Sequence, residues 1–147
     1  MIVAFILLGL LAISLLYNLQ QFLGGLVDGG RVYARAGGPK LEEIVREDNQ
    51  AANKVALIEL TGIISSDAYD GGGYSMVDII QAQLDRAADD SKVKAVLLKV
   101  DSPGGEVLAS DELYRAISRF QQETGKPVVA SMGSLAASGG YYVSAAC

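Results

Sequence analysis

The chain opens on a run without a charge, MIVAFILLGLLAISLLY from Met1 to Tyr17, and weaker apolar character continues through Leu19, Phe22, Leu23, Leu26 and Val27. A helix that crosses a bilayer needs ~20 apolar residues, so residues 1–27 are expected to form a transmembrane anchor. No basic stretch precedes the run. The one A-x-A pattern, Ala34 to Ala36, lies beyond it with an arginine inside, unlike a cleaved signal peptide. Residues 28–53 (DGGRVYARAGGPK, then LEEIVREDNQAAN) are polar and glycine-containing and read as a linker with one short helix.

From residue 54 the pattern changes to short apolar runs alternating with helical periodicity. KVALIEL predicts a strand closed by a turn at Thr61-Gly62, KVKAVLLKV (Lys92 to Val100) a second strand, and KPVVASM a third. Between the first two, Ser75 and Asp78 have capping-box spacing, and Val77, Ile80, Leu84 and Ala87 recur on one helical face. In the next interval Ser110 is placed to cap a helix with Asp111 and Glu112 in its first turn. Leu113, Ile117 and Phe120 form its apolar stripe and Gly125 stops it. A last helix is expected over 139–146. Strands alternating with helices predict parallel βαβ units in an α/β domain spanning 54–147. Continuous apolar strands predict a sheet covered on both faces.

Charge and composition narrow the function. Twelve Lys and Arg stand against 17 Asp and Glu, a net charge of -5, with no basic stripe to neutralise phosphates, so a nucleic-acid partner is not expected. Cys147 is the one cysteine and there is no histidine. An intrachain disulfide, a Cys/His metal site and a Ser-His-Asp triad are therefore all excluded. No metal or organic cofactor is expected. Arg31, Arg35 and Lys40 all follow the apolar run, and a literal positive-inside reading puts the rest of the chain in the cytoplasm.

Two loops leave the carboxyl ends of successive predicted strands, where open α/β sheets collect their chemistry. In LAASGG, Ser138 stands among small residues just before a helix, with a pattern close to a hydrolase nucleophile elbow; the alternative is an ordinary serine N-cap. In DSPGGE, Pro103 fixes one backbone angle, and Gly104-Gly105 permit a turn with uncovered amides that could face an oxyanion. Its alternatives are a plain strand-to-helix turn and a phosphate cradle, the latter weakened because no G-K-[ST] follows.

VDSPGGEV followed by AASGGYYV resembles the paired signature of the SppA-type signal peptide peptidases, relatives of Clp protease within the crotonase-like superfamily. The resemblance covers 54–147, and the apolar N-terminus, the linker and VALIELTGII fit it too. It implies a crotonase/Clp protease-like fold, present in part, preceded by a transmembrane helix. It also implies a membrane-bound serine endopeptidase acting on hydrophobic peptides such as released signal peptides, with an extracytoplasmic catalytic domain in a homo-oligomer. Ser138 becomes the nucleophile, Gly104 and Gly139 supply oxyanion-hole amides, and Gly105 and Glu106 bind substrate. The family's base is a lysine kept neutral by burial. Lys40, Lys54, Lys92, Lys94, Lys99 and Lys126 do not match its position, which falls past Cys147, so 54–147 is expected to be the N-terminal part of a longer protease domain. Ser91 and Lys94 form an S-x-x-K at a charged strand junction, read as a chance spacing. Two other readings use the same scaffold: a crotonase-like acyl-CoA enzyme, opposed by the missing basic cluster for CoA phosphates, and a catalytically inactive membrane-tethered scaffold.

Overall fold

The computed structural model describes residues 2–28, 38–48, 50–68 and 73–147, with side chains at 2–6 and 21–28 outside that description. The chain divides into two units, Met1–Arg35 and Ala36–Cys147.

Among the described residues the first unit holds one helix, α1 (Ile2–Asp28). Its described apolar side chains, among them Leu7, Leu10, Leu11, Leu15 and Leu16, are all exposed. Among the described residues no helix is long and apolar enough to cross a membrane. The expected anchor is therefore present as a helix but not as a recognised span. Asn18, Gln20 and Gln21 interrupt the apolar run after Tyr17, short of the ~20 residues a span needs. Asn18 turns its amide back to donate to the Ser14 carbonyl at 2.8 Å.

In the second unit residues 38–48 form no helix, contrary to the short one expected in the linker. The elements that follow are β1 (Lys54–Ile64), α2 (Met76–Asp89), β2 (Val93–Gly105), α3 (Val107–Thr124), β3 (Val128–Ala136) and α4 (Gly139–Ser144). Both strand pairings are parallel, in the order β1-β2-β3. The parallel α/β architecture matches the expectation.

Coverage of the sheet does not. The strand order advances in one direction, and two right-handed crossovers then put α2 and α3 on the same side. Ile58, Leu60, Val96, Leu98, Val100 and Val128 are buried beneath those helices, while Val55, Leu57 and Val129 on the opposite face are exposed. The helices contribute the residues their periodicity marked: Val77, Ile80, Leu84 and Ala87 from α2, and Leu113, Ile117 and Phe120 from α3, all buried. Full burial of a side chain such as Ile117 contributes ~1.5–3 kcal/mol relative to leaving it exposed.

The ends of the elements fix the site. Ser75 and Asp78 make the reciprocal capping box at the start of α2. The last carbonyls of α2 are held from a distance: Lys126 Nζ donates to Ala87, Ala88 and Asp90 oxygens at 2.7, 2.8 and 3.0 Å. α3 begins at Val107, one turn before the expected Ser110 cap, and Ser110 Oγ instead donates to the Glu106 carbonyl at 2.7 Å inside the helix. Thr61-Gly62 does not end β1; the strand passes through it with a register shift against β2 and a Gly62 φ of 89°. DSPGG is likewise the last stretch of β2 rather than a separate turn.

Candidate active site

The end of β2 is built around Ser102, which is fully buried. Its hydroxyl donates to the Gly62 carbonyl at 2.6 Å and accepts the Gly104 N–H at 3.0 Å. Its own carbonyl accepts the Ala137 N–H at 3.1 Å, which ties the residue before Ser138 to this strand. One residue thus joins the bulge of β1, the glycine pair of β2 and the serine loop after β3.

Gly104, at φ 96°, is the point of closest approach. A Cβ there would lie 2.6 Å from the Gly139 nitrogen and 2.8 Å from Ser138 Cβ, so no other residue fits without displacing the serine loop. The two loops that sequence placed at one sheet edge do meet. Gly139 and Gly140 allow the same approach from the other side. A Cβ on Gly139 would collide with Ser110 Oγ, and one on Gly140 would lie 2.8 Å from the Ser102 oxygen.

Ser138 precedes α4 with φ 49° and ψ -122°, a conformation that non-glycine residues avoid and that costs of order 1–3 kcal/mol. Its hydroxyl makes no cap hydrogen bond and the residue is exposed. The capping bond expected of an ordinary serine N-cap is absent, and backbone strain is held at an exposed serine. Gly139 opens α4, so its N–H lies before the first intrahelical bond. Tyr142 Oη donates to Asp111 Oδ1 at 2.9 Å and its ring stacks on Tyr114 at 4.8 Å, fastening α4 to α3.

The residues expected to bind or polarise substrate are deployed as follows. The Gly104 N–H points inward to Ser102 rather than toward Ser138. Its neighbour is oriented differently: Gly105 pairs with Ile64 and the Glu106 N–H donates to the Ile64 carbonyl at 2.8 Å. The donor to Ile64 is thus the Glu106 N–H and not that of Gly105, which by ladder alternation lies outside the pairing with β1. The Glu106 carboxylate accepts the Ser65 hydroxyl and the Ser66 N–H, both at 2.9 Å. The Ser66 amide, and after it the Ser66 and Ser65 side chains, hold this carboxyl below the ordinary glutamate range. The side chain secures the loop after β1.

No lysine described here is bonded to Ser138. Lys54 is paired with Glu43 and Asp90 at 2.7 and 3.2 Å, which raises its pKa, opposite to what a neutral base requires. Lys99 pairs with Glu59 at 3.3 Å, and Lys126 is held by the end of α2. Lys94 Nζ donates to the Ser91 carbonyl and not to its hydroxyl, so the S-x-x-K is a local contact.

Sequence reading missed the parts played by Ser102 and by Asp101, whose Oδ1 accepts the Leu135 N–H at 3.0 Å where β2 and β3 lose register. The signal available for Ser102 and Asp101 was their place at the end of an otherwise apolar strand. Polar side chains there need partners, which other segments supply.

No family model matches the chain. Among curated proteins, it is 45% identical over 101 residues to Protease 4 of Haemophilus influenzae, covering 67% of this chain and 16% of that protein. It is 46% identical over 90 residues to Protease 4 of Salmonella typhi, covering 61% and 14%. It is 52% identical over 58 residues to the chloroplastic serine protease SPPA of Arabidopsis thaliana, covering 40% and 8%. The chain thus spans a minor part of the length of each. A solved structure of a membrane-bound stomatin-specific protease aligns with a TM-score of 0.45 and 22% identity, over 65% of this chain and 42% of that one. The resemblance to SppA-type proteases first carried by the two motifs is matched by the curated relatives.

Proposed function

We propose that this chain carries the nucleophile half of a serine protease site, with Ser138 forming an acyl-enzyme on hydrophobic peptides such as released signal peptides. The single observation that supports this most is the strained, exposed, uncapped Ser138 held against Gly104. Its hydroxyl oxygen attacks the scissile carbonyl and its proton passes to a general base. The carbonyl oxygen, now negative, is met by the Gly139 N–H and by the N–H of Gly105. Collapse of the tetrahedral intermediate breaks the C–N bond, the amine leaves with a proton from the base, and water then releases the acyl group. Gly105 takes the place expected of Gly104 because the latter's amide is already engaged.

The base in this reading is a lysine from outside these residues, contributed by further chain or by a neighbouring protomer. The exposed apolar side chains of α1 support residence at a membrane surface, where hydrophobic peptides concentrate. The uncovered sheet face with Val55, Leu57 and Val129 supports assembly with additional protein, including a homo-oligomer. Fluorophosphonate labelling of the full-length protein tests the reading. Wild type should be modified at one serine and Ser138→Ala should not; undiminished labelling of that variant would remove the proposal.

A further inference from the structure

We infer that Ser102 is a positioning residue for this reaction, setting which amide of the glycine pair faces the oxyanion; the inference rests on the protease reading above. The Ser102 hydroxyl is both donor and acceptor in one fully buried position. Its proton goes to the Gly62 carbonyl, and its lone pair receives the Gly104 N–H. That second bond rotates the Gly104 peptide inward and brings the Gly104 Cα, rather than its amide, against Ser138 and Gly139. The next amide, that of Gly105, is left outside the pairing with β1.

The same residue also fixes the nucleophile through its backbone, since its carbonyl holds the Ala137 N–H and abuts Gly140. Glycine pair and serine loop are therefore referenced to one point in β2. With an alanine at 102, the buried Gly104 N–H and the half-buried Gly62 carbonyl would lose their partner, and a flip of the Gly104 peptide becomes the available relief. Such a flip turns the amides of the glycine pair out of register with Ser138 while leaving the serine itself in place.

The test compares Ser102→Ala with wild type in the full-length protein, using a fluorophosphonate. The final labelled fraction counts competent sites, and the rate constant per competent site reports oxyanion placement. The inference predicts a rate constant reduced roughly ten- to hundredfold, the range expected when an oxyanion donor is misplaced, with most sites still labelled. A reduced labelled fraction at an unchanged rate constant would mean that Ser102 serves folding alone and would overturn the inference. Amide hydrogen exchange on wild type decides the matter even if the variant does not fold. Gly104 should exchange as slowly as the core of β2, and rapid exchange there would overturn it. Labelling that survives Ser138→Ala would instead sink the protease reading itself, so the two failures are distinguishable.

Discussion

The two loops that form the site are held in opposite ways. The end of β2 is locked: Ser102 joins Gly62 to Gly104, the Glu106 N–H and carboxylate bind Ile64 and the Ser65-Ser66 loop, and Ser110 returns to Glu106. The serine loop is strained, with Ser138 at positive φ and its hydroxyl free of any cap. The contrast suits the different roles proposed for each. A group that must present an amide in one direction benefits from having no alternative geometry, whereas a nucleophile must keep its oxygen uncommitted and exposed. The locked loop provides the surface against which the strained one is maintained, because relaxation of Ser138 would have to move Gly139 past Gly104.

Four substitutions break or sharpen this contrast. The largest effect is expected from Ser138→Ala, which should lower peptide cleavage by the full-length protein ~10³-fold or more, because other groups at a serine protease site retain little activity without the nucleophile. Gly104→Ala comes next. Its methyl would lie 2.6 Å from the Gly139 nitrogen at a φ of 96°, so chemical denaturation should show a loss of at least ~1–3 kcal/mol, with activity lost as well. An unchanged midpoint would mean that the loops are not in contact.

Ser138→Gly separates strain from chemistry. It should abolish labelling yet stabilise the fold by up to ~1 kcal/mol, since glycine tolerates the conformation that serine is forced into. A destabilised Ser138→Gly would show that the serine is not strained in solution. The smallest effect should come from Glu106→Gln, which keeps shape and removes charge. Because the folded carboxyl is held below its ordinary range, the clamp on Ser65 and Ser66 is fully present above the usual glutamate pKa and is lost as pH falls through the depressed value. Exchange of the Ser66 amide should therefore accelerate on acidification in wild type. In Glu106→Gln it should be fast at neutral pH and show no such step.

Local pattern and long-range contact were not equally legible. Val77, Ile80, Leu84 and Ala87, and likewise Leu113, Ile117 and Phe120, were recognisable because a buried helix face repeats with the helix period. The meeting of DSPGGE with AASGG was also foreseeable, because parallel strands bring their carboxyl ends to one edge. The bare sheet face was not, because Leu57 and Val129 look like buried strand residues until the strand order is known. Nor was Lys126 capping α2, or Ser102 bonding to the Gly62 carbonyl, since each depends on a partner tens of residues away. The helix start at Val107 was misplaced for a related reason. Ser110 has the composition of a cap, but in the folded chain its hydroxyl bonds backward to Glu106 while its side chain packs against Gly139.

The most direct test of the central claim is a crystal structure of the full-length protein carrying a phosphonate or boronate adduct. The account predicts a covalent bond to Ser138 Oγ, with one adduct oxygen within hydrogen-bond reach, ~2.7–3.1 Å, of the Gly139 and Gly105 nitrogens. It also predicts that the Gly104 N–H will still be on Ser102. An adduct on another residue, or an adduct oxygen that meets neither amide, would contradict it.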